Sequence, residues 1–327
     1  MAIFGRESIS RMKLVTAFLQ LIRWPNLVFI FLTQHLFYYS VVLPDYAAIG
    51  FDHAWYLSWK AFHWLVASSV LIAAAGYIIN DYFDLNIDQV NKPNAIIIQK
   101  VIKRRWAIFW HLGLSVAGLL CTLYACRLTG NWLVAPLNLL CVLLLWFYST
   151  TFKKKFLIGN LVIALLTAWV VLVLYVADLD VIALTRYANY RSVLNKVFKL
   201  AMLYGGFAFV ISLIREVVKD MEDIAGDEKY GCRTMPIVWG IPASKVFTAV
   251  WLVVLMVSVL VLQVYALLLG RFIAAAYGIG LVALPLALIL RRLYTATTPA
   301  QFHKISSWIK LVMLTGILSM LFFRFHL

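Results

Sequence analysis

Asp81, Asp84 and Asp88 stand three and four residues apart at the end of an apolar run, in the stretch INDYFDLNIDQVNKP. Some 130 positions later Glu216, Asp220, Asp223 and Asp227 follow one another at intervals of four, three and four. At about 100° per helical residue the first three acids point within about 60° of one another, with Asn80 on their flank, and so do the last four. Gly226 is a possible end for the second helix, which would leave Asp227 on a turn. Like charges at this spacing repel, so each face needs neutralising by basic side chains, water or a metal ion. With no His or Cys beside them, the oxygen donors select a hard cation, Mg²⁺ before Zn²⁺. Mg²⁺ takes one or two carboxylates, several waters and substrate phosphate oxygens, so two facing pairs suggest Mg²⁺ ions holding a diphosphate. The plainer alternative is a set of water-exposed loop acids balancing nearby basic residues. Carboxylates at a membrane boundary are costly, which favours a functional role.

The elements that position these acids are apolar helices. Of 327 residues, 64% are hydrophobic and 13% charged, about half the charged share of an average soluble domain. Nine apolar runs, roughly 14–43, 62–80, 106–127, 131–149, 156–176, 197–214, 243–269, 271–290 and 306–325, are each about long enough to cross a bilayer. They show no alternation, so the expected fold is all-α: a polytopic membrane protein of nine transmembrane helices forming a single integral-membrane domain over 1–327. The first run is long enough to tilt or to turn at Pro25 or Pro44, and it reads as a retained helix rather than a signal peptide. Cys121, Cys126 and Cys141 fall in apolar runs and Cys232 outside them, with no CxxC pair. The pattern suggests small core residues rather than a disulfide framework. Lone histidines such as His35 and His111 read as hydrogen-bonded core or interface.

One alternate set of connections (the N-terminus with Arg23, then 81–105, 150–155, 215–245 and 291–310) carries 21 of the 29 Lys and Arg residues, and nine of the 14 acids lie in two of these segments. The positive-inside rule puts this set in the cytoplasm, so a multi-pass protein of the cytoplasmic membrane with its site toward the cytoplasm is expected. Orientation and anionic lipid explain the net charge of +15, and no nucleic-acid partner is implied. The opposite connection, around 177–199, is long, with Tyr187 and Tyr190 expected at the interface.

NDYFDLNID (Asn80–Asp88) resembles the NDxxDxxxD motif of the UbiA superfamily of intramembrane prenyltransferases, and KDMEDIAGD (Lys219–Asp227) resembles its second aspartate motif. RWPN at Arg23–Asn26, FYSTTFKKKFLIGN at Phe147–Asn160 and GCRTMPIVWG at Gly231–Gly240 extend the resemblance over most of the chain. It implies a UbiA-type bundle with a central cavity and Mg²⁺ as cofactor. Metal ligands would be Asn80, Asp84, Asp88, Asp223 and Asp227, and the four aspartates would carry catalysis by binding the diphosphate of a prenyl donor. Charge neutralisation makes diphosphate a better leaving group, and apolar walls keep water from the allylic cation.

Asn26, Lys153, Arg215 and Lys219 are the supporting substrate-binding candidates. Asn26 matches an Asn on the family's first helix. Arg215 and Lys219 form a basic strip that could instead pair with Glu216 or Asp223. Lys153, Lys154 and Lys155 also read as a positive-inside anchor, and Tyr148 as an interfacial aromatic. The pattern departs at Ala95, where the family commonly has Arg; the contact of that Arg to diphosphate or loop would be either missing here or supplied by Lys100, Lys103, Arg104 or Arg105.

REVVKDMEDIAGD with GCRTMPI looks most like the branch that prenylates geranylgeranylglyceryl phosphate, with geranylgeranyl diphosphate as the implied donor and membrane lipid as surroundings. The alternative acceptor is an aromatic acid of quinone biosynthesis, 4-hydroxybenzoate or dihydroxynaphthoate. A CDP-alcohol phosphotransferase is disfavoured because its acids form one compact array. A non-catalytic lipid-binding or transport protein is disfavoured because these acids lie at helix ends.

Overall fold

A continuously apolar chain can satisfy its backbone in lipid by closing hydrogen bonds within each segment, and helices result. The computed structural model describes residues 11–49, 57–179 and 188–325, among which no strand forms beyond an isolated bridge between Ile98 and Ile102. The helices are α1 (Arg11–Leu21), α2 (Trp24–Ala47), α3 (Trp59–Asn91), α4 (Arg104–Thr129) and α5 (Val134–Thr150). Then come α6 (Ile158–Ala177), α7 (Ala188–Lys229), α8 (Met235–Leu268), α9 (Phe272–Thr295) and α10 (Pro299–Arg324). Among the described residues eight are long and apolar enough to cross a membrane. The remaining apolar run, 131–149, forms α5, which at 17 residues is shorter. The protein is therefore an integral, multi-pass membrane protein.

Two differences from the hydropathy reading position the site. The first run breaks at Arg23, whose φ of 50° and ψ of 53° put it in the left-handed region. A non-glycine residue rarely adopts that region. Pro25 then sits in the first turn of α2, where its missing N–H costs nothing. Second, several helices outrun their apolar cores: α3 continues to Asn91, α7 to Lys229, and α10 already begins at Pro299. Hydropathy registers the part of a helix in lipid and is silent where the same helix continues among polar groups. Side-chain caps fix two helix starts: at α3 Ser58 accepts from the Ala61 amide, and at α10 Thr298 with Gln301 forms a capping box.

α7 is the central element, packing against α6, α8 and α10, while α3 packs on α4. Phe37, Tyr38, Tyr46, Phe62 and Tyr190 anchor one core cluster. Ile211, Ile214 and Val218 of α7 pack with α8, α9 and α10 in another. Only 17% of the apolar window of α8 is buried in the protein, which leaves most of that helix facing lipid. Tyr190, expected at the interface, is fully buried, with its hydroxyl donating to the Asp178 carbonyl at 2.6 Å. The Asp178 carboxylate accepts from the Tyr46 hydroxyl and the Leu57 amide, so this acid ties the far end of the bundle together. Tyr187 lies outside the described residues. His111 Nδ1 meets the Ala75 carbonyl at 3.0 Å, as a core histidine should.

Candidate active site

Because α3 and α7 both continue past their apolar segments, the two acidic sets remain on helices. Gly226 does not end α7, so Asp227 stays on the helical face. Asn80, Asp84 and Asp88 of α3 and Asp220, Asp223 and Asp227 of α7 line one polar pocket of about 90 Å³. Asn91 holds the two helix ends in register. Its Nδ2 donates to the Asp223 carbonyl at 2.9 Å, and its Oδ1 accepts from the Gly226 amide at 2.7 Å. A Cβ on Gly226 would fall 2.6 Å from the Asn91 carboxamide, so this close approach requires glycine.

Two lysines neutralise part of the acidic surface. Lys92 Nζ donates to Asp223 Oδ2 at 2.9 Å and lies 3.8 Å from Glu222 Oε1. Burial disfavours its charge, but Asp223 and Glu222 outweigh this and hold the ammonium above its ordinary range. Lys153 Nζ contacts Asp84 Oδ1. Burial pushes this ammonium down to about 8, against the opposing pull of Cys232 and Asp227. A tight backbone contact presents Lys153: a Cβ on Gly159, at the start of α6, would fall 2.7 Å from the Lys153 Cα. Cys232, which lies outside the apolar runs, lines the same pocket, and burial together with Asp227 pushes its thiol up.

Asp88 and Asp227 form no ion pair among the described residues, and the Asn80 Oδ1 is buried without a hydrogen-bond partner. Asn80 Nδ2 meanwhile donates to Asp84 Oδ2 at 2.7 Å. Among the described residues no three His, Cys, Asp or Glu side chains gather into a cage for one metal ion. Oxygen donors in ones and twos, with an orphaned amide oxygen, fit Mg²⁺, which draws its remaining ligands from water and phosphate.

The polar pocket adjoins an apolar chamber of about 240 Å³ whose lining shares Arg23, Asn80, Tyr148, Glu216 and Lys219 with it. Ile72, Ala73, Leu145, Ile163 and Met313 supply apolar wall. Asn138 lies at the wall and holds Trp169, whose Nε1 donates to Asn138 Oδ1 at 2.9 Å. Of the sequence candidates, Asn80, Asp84, Asp88, Lys153, Lys219, Asp223 and Asp227 line the polar pocket. Asn26 and Arg215 line only the chamber. Both members of the basic strip do pair with Glu216: Arg215 at 2.9 Å and Lys219 at 3.5 Å. Asp81 lines neither pocket and instead holds Arg23 at 2.6 Å.

Sequence reasoning missed Arg23, Tyr77, Lys92, Asn160 and Lys310 as lining residues, and it read Tyr148 as an interfacial aromatic. Asn160, the last residue of the FYSTTFKKKFLIGN stretch, donates to Asp220 Oδ2 at 2.8 Å. None of Lys100, Lys103, Arg104 and Arg105 lines either pocket. Lys100 caps the Pro93 carbonyl and Arg104 lies over the Tyr82 ring. The cations at the polar pocket are Arg23, Lys92, Lys153 and Lys219.

The UbiA prenyltransferase family model matches residues 41–309. The chain is 25% identical over 251 residues to digeranylgeranylglyceryl phosphate synthase of Methanosphaera stadtmanae, covering 76% of this chain and 82% of that one. It is 33% identical over 192 residues to the protein of that name from Methanothermobacter thermautotrophicus, covering 58% and 60%. A solved structure of a digeranylgeranylglyceryl phosphate synthase superposes with a TM-score of 0.56 at 24% identity, covering 94% of this chain and 98% of the other. A UbiA homolog from Archaeoglobus fulgidus bound to DMAPP and Mg²⁺ superposes with a TM-score of 0.52 at 15% identity, covering 93% and 98%.

Proposed function

The chain belongs to the UbiA prenyltransferase family, and from that premise we propose that it transfers a geranylgeranyl group from geranylgeranyl diphosphate to geranylgeranylglyceryl phosphate. The observation that carries this reading is the joining of two unlike spaces. A polar pocket with two unpaired carboxylates opens beside an apolar chamber, which matches a donor with a diphosphate head and a hydrocarbon tail. The acceptor follows from the curated relatives, which are named as digeranylgeranylglyceryl phosphate synthases.

In this mechanism Asn80, Asp84 and Asp88 on α3 and Asp223 and Asp227 on α7 hold Mg²⁺. Bound Mg²⁺ supplies charge neutralisation of the diphosphate leaving group. Lys92 and Lys153, now on Asp223 and Asp84, are placed to turn from those carboxylates onto diphosphate oxygens. The bond from prenyl C1 to the diphosphate oxygen breaks, the acceptor hydroxyl oxygen bonds to C1, and its proton leaves with the departing diphosphate. Chamber walls such as Ile72, Leu145 and Ile163 exclude water from the allylic cation while it lasts. The acid-bearing helix ends lie among the connections richest in Lys and Arg, so the site faces the cytoplasm in this reading.

Purified protein with labelled geranylgeranyl diphosphate and a panel of acceptors tests the proposal. Product is expected with geranylgeranylglyceryl phosphate in Mg²⁺ and none after chelation, with restoration on adding Mg²⁺ back. The Asp84→Ala/Asp223→Ala double variant is expected to lose at least about 10²–10³-fold in rate, the scale for removing a charge-stabilising group. Equal product from this variant and wild type would sink the aspartate mechanism.

A further inference from the structure

Lys310 is placed where a lysine is expensive. It falls within the apolar run 306–325 and, since α10 begins at Pro299, lies about 16 Å along the helix, between Ile309 and Leu311. A charge at such depth points by default to function. Its side chain lines the apolar chamber and not the aspartate pocket. Lys310 Nζ forms no ion pair among the described residues; its polar contact is the Asn26 Oδ1 at 3.3 Å.

Arg215 lines the same chamber and is likewise absent from the aspartate pocket. It gives one nitrogen to Glu216 at 2.9 Å, while its Nε is buried without a hydrogen-bond partner. Along α7 it stands eight residues before Asp223, about 12 Å deeper into the bundle. These two cations are therefore held apart from the acids that would hold the donor diphosphate.

The charge balance identifies what they face. Four cations line the chamber: Arg23, Arg215, Lys219 and Lys310. Asp81 occupies Arg23, and Glu216 is shared by Arg215 and Lys219. Arg23 and Lys219 also border the acids of the polar pocket, whereas Lys310 meets no anion and Arg215 keeps an unpaired Nε, so the chamber calls for an anion with several oxygens. A phosphate monoester carries about −1.5 to −2 at neutral pH, against −1 for a carboxylate. Arg215 offers its planar fork and Lys310 a point charge, a suitable pair for phosphate oxygens.

We infer that Lys310, with Arg215 beside it, seats the phosphate monoester of the prenyl acceptor inside the chamber, so that Lys310 selects an anionic lipid acceptor over an aromatic acid. The inference rests on the prenyl-transfer reading above. It assigns to α10 a specificity residue that neither aspartate motif contains.

Steady-state kinetics on the purified full-length protein with Mg²⁺ separate the two claims. For Lys310→Met the KM for geranylgeranylglyceryl phosphate is expected to rise at least tenfold while the KM for geranylgeranyl diphosphate stays within twofold. Lys310→Arg is expected to recover most of the acceptor KM, which a purely packing role does not predict. An unchanged acceptor KM in Lys310→Met overturns the inference, and so does an equal rise in both KM values. A wild type that prefers 4-hydroxybenzoate and loses it on Lys310→Met overturns the phosphate assignment. Wild type that yields no product with any acceptor refutes the prenyl-transfer reading instead.

Discussion

The Asn91 bridge allows a sign-reversal test of how the two acidic helices are held together. Gly226→Ala puts a methyl group 2.6 Å from the Asn91 carboxamide, so that side chain must leave. Its departure breaks the bonds to the Asp223 carbonyl and the Gly226 amide. At about 1 kcal/mol per hydrogen bond this costs about 2 kcal/mol. Alanine in place of glycine inside α7 returns about 1 kcal/mol of helix propensity. The net expectation is destabilisation by about 1 kcal/mol. In an Asn91→Ala background the clash and both bonds are already gone, so the same Gly226→Ala change should stabilise by about 1 kcal/mol. The coupling between the two sites is then about 2 kcal/mol, well above the usual additivity error. Equilibrium unfolding of the four proteins in mixed detergent micelles measures it. Turnover should fall in both single variants, because the bridge registers Asp223 against α3. If Gly226→Ala has the same sign and size in both backgrounds, Asn91 is not the clamp described.

Two further perturbations probe the neighbouring parts of the site. Gly159→Ala drives a methyl group into the Lys153 backbone at 2.7 Å, and overpacking of this kind typically costs about 1–3 kcal/mol. The expected result is a raised KM for the prenyl diphosphate with an unchanged acceptor KM; wild-type kinetics would show that the 150–158 turn does not present Lys153. Asn138→Ala removes the acceptor of Trp169 Nε1 and the bonds to Ser68 and Thr122. Single bonds within membrane helices average well under 1 kcal/mol, but three are removed together and the Trp donor is orphaned, so about 2 kcal/mol is expected in the same unfolding assay.

Much of the candidate site was legible because its residue types are so unlike their surroundings. Asn80, Asp84, Asp88, Asp223 and Asp227 stood out as oxygen donors in an apolar chain, and their helical spacing gave the shared faces. Tyr148 and Cys232 gave no such signal, since aromatics at interfaces and small thiols in cores are common outcomes. Lys92 and Lys153 read equally well as orientation charges; their contacts with Asp223 and Asp84 depend on where two connections fold. Asp81 shares its helical face with Asp84 and Asp88, yet it serves Arg23, because α2 starts beside it.

The sequence alone determined that the chain is helical and crosses the membrane, since a backbone in lipid has few other ways to satisfy its hydrogen bonds. Its motif spacing also determined which acids share a face, because helical periodicity is local. The positions of helix ends were beyond it: a helix leaving lipid for a polar pocket loses its hydropathy signal without losing its hydrogen bonds. Only the tertiary structure therefore carried α7 through Asp227 and set Lys310 of α10 in the wall of the chamber. It alone decided that Arg215 and Lys310 face the chamber and the aspartates face the pocket, because that division comes from how separate helices pack.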